Sequence, residues 1–188
     1  MAVPDESLLG RVAAQLSRPP SYADGSGLGL LSSAAAAYGS KSGADDSTQP
    51  TGFDPDAARL FESVVEAAFL VANADGEFDA EEEEAFRHVV LSACRGLVME
   101  RQVTALVADL SDQLAEDGLE KRVAMVVKSI TREEQAREVL RIAALLAHVS
   151  GGVSAVERDV LGKLGSGLGL DSTGVDVAVK EAISAIAE

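Results

Sequence analysis

The sequence predicts an all-α protein, and three observations carry this prediction. Apolar residues recur at helical spacing through most of the chain from Asp54 onwards. No sustained alternation of apolar and polar residues and no Asn-Gly hairpin turn occurs. Aromatic residues make up only 4% of the chain, while Ala, Val and Leu dominate, which suits a helical core of small aliphatic side chains. We expect one helical domain over 53–188, preceded by an arm over 1–52.

The arm is predicted to be a flexible, low-complexity segment with one short helix. PDESLLGRVAAQL has the spacing of an amphipathic helix, which the following Pro-Pro pair would end. The segment after it is rich in Gly, Ser and Ala, a composition typical of linkers. The alternative is that Leu28, Leu30, Leu31 and the alanines that follow pack on the domain.

Seven helices are predicted in the domain. Asp79 is the expected N-cap of the second, and capping-box patterns open the fifth (Thr131 with Glu134) and the sixth (Ser154 with Glu157). The fifth contains IAALLA, which is apolar nearly all round, so we place it at the centre. In chain order, the apolar stripes or helices lie over 61–72, 85–93, 103–114, 119–130, 131–148, from 154 onwards and over 175–186.

An internal repeat relates the two halves of the domain. When Gly76 is aligned on Gly151, ANADGEFDAEEEEAF lies over AHVSGGVSAVERDVL, and the stripes of the preceding helices coincide. Each unit therefore reads as a helix, a tight glycine turn and a capped second helix. This predicts a bundle built from two related helical hairpins.

The two units differ in charge. Glu62 and Glu66 of the first align with Arg137 and Arg141 of the second. Because the architecture is shared, we interpret the acidity of the first unit as functional rather than structural. It predicts a surface that binds a basic partner, with salt-sensitive association. The predicted partner-binding residues are Glu62, Glu66, Asp75, Glu81 and Glu82.

The first turn resembles a calcium loop only in part. With Gly76 at position six of an EF-hand, position one falls on Val71, which cannot ligate and belongs to the preceding helix. A true EF-hand is therefore rejected. A looser site for Ca²⁺ or Mg²⁺ and a purely capping role of the acids both remain open. The candidate ligands are Asp75, Glu77, Asp79 and Glu82.

Other chemistry finds little support. A net charge of −15 disfavours nucleic-acid binding, and no apolar run is long enough to span a bilayer. Cys94 is the single cysteine, which favours a cytoplasmic location and a core thiol. Glu84 and His88 are one helical turn apart, but one histidine makes a weak case for a transition metal. We expect neither an enzyme nor direct membrane insertion.

A family resemblance follows from the first turn. Its segment has the spacing Ala-x-x-Asp-Gly-x-apolar-x-x-x-Glu, formed by Ala72, Asp75, Gly76, Phe78 and Glu82. This resembles the tellurite-resistance TerB family and the N-terminal domain of DjlA-type co-chaperones, over roughly 54–188. The resemblance implies a cytoplasmic seven-helix module with an acidic, cation-binding surface, associated with stress-response or chaperone-type assemblies. Ser150 replaces the acid of the second unit, which argues against two symmetric sites.

Two functional hypotheses result. The first is a non-enzymatic stress-response module whose acidic surface docks a basic protein and binds divalent cations weakly. The second is a dedicated metal-binding or metal-sensing protein that uses the Asp75-Gly76 loop.

Overall fold

A computed structural model of the chain describes residues 6–19, 29–39, 54–76, 78–150 and 153–187. All regular structure in these ranges is helical, which confirms the all-α class. The nine α-helices found there are seven in the domain, as predicted, and two in the arm, where only one short helix was predicted. They are α1 (Glu6–Leu16), α2 (Leu30–Gly39), α3 (Pro55–Ala72), α4 (Ala80–Cys94), α5 (Glu100–Asp117), α6 (Leu119–Ser129), α7 (Glu133–Ala147), α8 (Ala155–Gly167) and α9 (Ser172–Ala187), with a 3-10 turn at His148–Ser150.

Local signals set the starts of α3, α4 and α8. Asp54 caps α3 and is followed by proline at the first helical position, where its missing N–H has no consequence. Both α4 and α8 open with complete capping boxes, as predicted. The predicted Thr131 cap is wrong, since the N-cap of α7 is Arg132, whose side chain accepts no backbone N–H. Ile130 is buried and extended at the end of α6, so its anchoring sets where α7 begins.

The central position of α7 is confirmed. Every side chain from Val139 to Ala147 is buried, and the helix packs against both α3 and α9. A helix that is apolar all round has to be covered on all sides, and here neighbouring helices cover it.

The arm is not the flexible segment that was expected, at least over 6–19 and 29–39. Leu16 and Leu31 are fully buried, and the ring of Tyr38 lies 4.6 Å from that of Phe61. The alternative reading, in which Leu31 packs on the domain, is therefore correct, while Leu28 lies outside the described residues. The division of the chain at residue 52 stays a prediction.

Polar contacts also anchor the arm. The hydroxyls of Ser17 and Ser32 both donate to the carbonyl of Ala93, at 3.1 Å each, near the end of α4. The Arg141 guanidinium donates to the carbonyl of Gln15 at 3.3 Å, at the C-terminal end of α1. There it is a second donor to this carbonyl, which also accepts the backbone N–H of Arg18 at 3.3 Å. Two separate segments of the arm thus close onto the end of one helix.

The two predicted hairpins are not equivalent in packing. In the second, α7 and α8 contact each other, although α7 packs more on α3 and α9. In the first, α4 makes its contacts chiefly with α1 and α5. The arm helix α1 packs on α4, whereas the chief neighbours of α8 are the domain helices α3, α6, α7 and α9.

Candidate functional site

The turn after α3 has the geometry that its glycine predicts. Gly76 has a φ of 77°, in the left-handed region that favours glycine. Phe78 then turns inward, with its ring 5.5 Å from that of Phe69 and 5.9 Å from that of Phe86. Val71 is fully buried within α3, so no ligand can stand at the first position of an EF-hand loop. The turn is a packed connection that fixes where α4 begins.

Two acids form the cap of α4. Asp79 Oδ1 accepts the backbone N–H groups of Glu81 and Glu82, each at 2.9 Å. In return, Glu82 Oε2 accepts the N–H of Asp79 at 3.2 Å. Both carboxylates are thereby held in fixed positions at the helix N-terminus.

The second unit repeats this cap with one acid fewer. Ser154 N–H donates to Glu157 Oε2 at 2.7 Å, and Glu157 N–H donates to Ser154 Oγ at 3.2 Å. Glu157 is buried. It therefore occupies the position in α8 that Glu82 occupies in α4.

The fold brings the two caps close enough to interact. Burial raises the pKa of Glu82, and the charges of Asp79, Asp75 and Glu157 raise it further, against the lowering effect of the Asp79 N–H bond. Burial also raises the pKa of Glu157, with a further contribution from the charge of Asp75. We call Asp75, Asp79, Glu82 and Glu157 the loop face; Asp75 and Asp79 are its exposed members, whereas Glu157 is buried and contributes through its charge.

Sequence reasoning missed Glu157 as a member of this face. The signal was present, because the internal repeat aligns Glu157 with Glu82. What the alignment did not contain is that the two turns approach each other, with the 3-10 turn at His148–Ser150 packed against α4.

The other predicted residues lie in separate environments. Glu77 falls outside the described residues. Glu81 is exposed on α4. Glu62 lies near Tyr38. The pKa of the Tyr38 phenol is raised chiefly by burial, and further by the charges of Glu62 and Asp109. Glu62 precedes Asp75 by thirteen positions, roughly 20 Å along a helix, so these two acids do not share one small site.

Glu66 is an interior residue rather than part of a surface. Its side chain is 10% exposed, and that of Arg122 is 8% exposed. Glu66 Oε1 lies 2.6 Å from Arg122 Nη2 and 2.7 Å from Nε. Arg122 Nη1 also reaches Asp117 Oδ2 at 3.2 Å. Burial raises the pKa of Glu66, and the contact with Arg122 opposes that shift.

Position 66 therefore corrects the interpretation of the charge asymmetry. Glu66 pairs with the buried Arg122 of α6. The equivalent residue of the second unit, Arg141, pairs with Glu138 at 2.7 Å and donates to the carbonyl of Gln15 in α1. The difference in charge between the halves at this position is structural, because the buried neighbour is an arginine in one half and a glutamate in the other.

The case for a metal centre rests on the loop face alone. Among the residues described in the structure, no group of three or more His, Cys, Asp or Glu side chains is arranged to hold a metal ion. Glu84 and His88 instead line a groove between α1 and α4. The carboxylates of the loop face are coupled in charge, but Asp79 and Glu82 each commit an oxygen to the cap.

The remaining reactive side chains are held in structural settings. Cys94 is fully buried, and burial raises the pKa of its thiol to about 12. Burial lowers the pKa of His148, whose Nδ1 lies 3.4 Å from the carbonyl oxygen of Ala144. Within the described ranges, none of the helices is both long and apolar enough to cross a membrane.

Comparison with known proteins identifies the family. The family model described as "Tellurite resistance protein TerB" matches residues 71–179, more than half of the chain. The match covers the loop face and begins beyond both helices of the arm. No curated protein and no solved structure matches the chain. The matched region shows that this chain belongs to the TerB family.

Proposed function

We propose that this TerB-family chain is a non-enzymatic, cytoplasmic interaction module of a stress-response assembly related to tellurite resistance, and that the loop face docks a basic protein surface. One observation carries the proposal. Burial raises the pKa values of Glu82 and Glu157, and the fold adds the charges of Asp75 and Glu157 to the shift of Glu82 and the charge of Asp75 to that of Glu157.

Such an arrangement favours a positively charged partner. Like charges that are held together raise the free energy of the unbound protein, and a cationic group placed among them lowers it. The capping boxes already fix Glu82 and Glu157, so binding orders few side chains and loses little entropy. A basic partner is therefore expected to associate rapidly and in a salt-dependent manner.

The environments of Cys94 and His148 support the non-enzymatic part of the proposal. A thiol with a pKa of about 12 is a poor nucleophile at neutral pH. A histidine whose pKa is lowered by burial, and whose ring nitrogen faces a helix carbonyl, suits a structural position. Both Cys94 and His148 thus have roles that require no substrate.

The test compares proteins that co-purify with the chain in its native host under tellurite stress. In the loop variant, Asp75→Asn, Glu82→Gln and Glu157→Gln remove three charges, and the glutamines keep the acceptor that each capping box needs. Basic proteins captured by the unaltered chain should be lost from this variant.

A control variant, Asp112→Asn with Glu116→Gln and Glu134→Gln, removes the same number of charges from exposed positions elsewhere. It should retain the captured proteins. If the loop variant captures the same set as the unaltered chain, the proposed docking face is refuted.

A second candidate function is binding or sensing of a divalent cation at the same place. The charge coupling among Asp75, Glu82 and Glu157 favours it, since carboxylate oxygens are the ligands that Ca²⁺ and Mg²⁺ prefer, although no three of the described side chains are arranged to hold a metal ion. Asp79 and Glu82 could each offer the oxygen that the cap does not use. Calorimetric titration with Ca²⁺ and with Mg²⁺ distinguishes the two functions. If the titration gives a stoichiometric heat that Asp75→Asn with Glu82→Gln abolishes, the cation is the primary ligand. If no heat is seen up to about millimolar cation, protein docking is the function of the loop face.

A further inference from the structure

The arm forms one wall of a groove whose other wall lies within the family match. This groove, of about 650 Å³, lies between α1 and α4. We call it the arm groove, and it is lined by Glu6, Leu9, Gly10, Glu81, Glu84, Ala85 and His88. Residues from α1 form one wall, and α1 precedes the matched residues 71–179. One wall of the groove therefore lies outside the residues that the family model matches.

The arm groove combines an apolar floor with an acidic rim. Leu9 is half-buried and Ala85 is buried, so they form the floor, whereas Glu6, Glu81 and Glu84 are exposed at the edges. Gly10 leaves the space open, because a Cβ atom added there would meet nothing within 4 Å.

No cation of the described chain neutralises this rim. None of its three glutamates forms a salt bridge with another described residue. The two arginines nearest in sequence to these glutamates contact other groups. Arg11 donates to the carbonyl of Ile186 at 3.1 Å, and Arg87 lies 3.6 Å from Glu83 and donates to Thr104.

A second groove in the same molecule provides the contrast. It lies between α6 and α8 and has a volume of about 850 Å³. Its charges are balanced internally, because Lys163 contacts both Glu120 at 2.7 Å and Asp159 at 3.1 Å, and Arg158 contacts Asp176 at 3.2 Å. The arm groove has a similar form but carries an uncompensated negative charge.

We propose that the arm groove binds a lysine- or arginine-bearing segment of a protein partner. The aliphatic stem of such a side chain would lie on Leu9 and Ala85, and its cationic head would meet Glu81, Glu84 and Glu6. Long cationic side chains bury their stems on apolar surface while the head group stays at the rim. This inference rests on the proposed function in requiring a basic partner, but it assigns that partner a second contact, away from the loop face.

The experiment is a titration of the ¹⁵N-labelled chain with an eight-residue lysine peptide, followed by two-dimensional NMR. Amide shifts at Leu9, Gly10, Ala85 and His88 are expected as the peptide is added. Glu84→Gln should weaken binding by about two- to fivefold, the range of a solvent-exposed charge pair. Glu116→Gln, an equal change of charge on α5, should leave binding unaltered.

Two further measurements test the shape of the groove and the chemistry of its occupant. Gly10→Leu places a side chain in the open space of a helix that tolerates it, so shifts at Ala85 and His88 should vanish while the spectrum remains that of a folded protein. A peptide of 2,3-diaminopropionate has the same charge with a shorter stem and should bind more weakly than the lysine peptide.

Other outcomes overturn the inference. If the amide shifts are confined to Asp75, Glu82 and Glu157, the arm groove is not a binding site, and the proposed function of the loop face is still supported. Scattered shifts that Glu84→Gln and Glu116→Gln weaken equally would show only general attraction by net charge. If spermine binds the arm groove as tightly as the peptide, its ligand is a small polycation and the protein segment is excluded.

Discussion

The buried pair of Glu66 and Arg122 allows a quantitative prediction. In Arg122→Met, the Glu66 carboxylate stays enclosed between α3 and α6 without its guanidinium partner. A buried carboxylate in that situation is expected to take up a proton instead of remaining charged.

The cost of that protonation sets the magnitude. The ordinary pKa of glutamate, about 4.3, lies some 2.7 units below pH 7, and each unit is worth about 1.36 kcal/mol. Keeping Glu66 protonated at pH 7 therefore costs about 3.7 kcal/mol, within the range of about 3–5 kcal/mol for breaking a buried pair. At pH 5 the same cost falls to about 1 kcal/mol. The sign follows because the folded-state pKa in the variant lies above the unfolded value, so the loss of stability shrinks as the pH falls.

The assay is urea unfolding followed by circular dichroism at pH 7 and at pH 5. The difference between Arg122→Met and the unaltered chain should be about 3–4 kcal/mol at pH 7, equivalent to a melting temperature lower by roughly 6–16 °C for a chain of this size. Adding Glu66→Leu to the variant removes the stranded charge and should recover most of the loss.

The surface pair of Arg137 and Glu133 serves as the control. Its side chains are 57% and 73% exposed, and Arg137→Met should change stability by less than about 1 kcal/mol. A loss in Arg122→Met that is below 1 kcal/mol, or equal at the two pH values, would refute the reasoning that Glu66 is effectively removed from water.

The remaining predictions concern the arm, the loop face, helix packing and the thiol. Leu31→Ala should lower the free energy of unfolding in urea by about 2–5 kcal/mol, since Leu31 is fully buried. A change near zero would support the prediction of a flexible arm. Glu157→Gln should raise stability by up to about 1 kcal/mol at pH 7. Because folding raises the pKa of Glu157, chiefly through burial and further through the charge of Asp75, this gain should disappear below about pH 4.3, and a gain independent of pH would contradict the raised pKa. Gly165→Ala should lower the melting temperature, because its Cβ would lie 2.3 Å from a side chain of α9, whereas Gly162→Ala in the same helix meets no atom within 4 Å and should raise it. Cys94 should resist a thiol reagent at pH 8 until urea unfolds the chain, and rapid labelling of the folded protein would contradict its burial.

The helices of the domain could be predicted because their signals are local. A capping box joins residues three positions apart, as in Asp79 with Glu82, and the φ of Gly76 depends on its own turn. Helical periodicity likewise appears within a few turns of sequence, and it identified α7 as the central helix. The Thr131 cap failed because buried Ile130, rather than the local pattern, sets the start of α7.

The arm was harder to predict from composition. Its small and flexible residues are typical of linkers, and the same residues allow close packing. The contacts that order it join Ser17 and Ser32 to Ala93, across more than sixty positions of sequence. No local pattern contains those partners.

The sequence by itself determined the fold class, the turn at Gly76, the capped starts of α4 and α8, and the family of this protein. Only the tertiary structure decided what each charge does. Glu66 is internal because Arg122, 56 residues further along the chain, reaches it. Glu157 joins Asp75 and Glu82 because two turns approach each other, and Glu81 and Glu84 face a groove because α1 lies beside α4. The physical reason is range: helix formation depends on neighbours within a turn or two, whereas the free energy of a charge depends on every group that folding places around it.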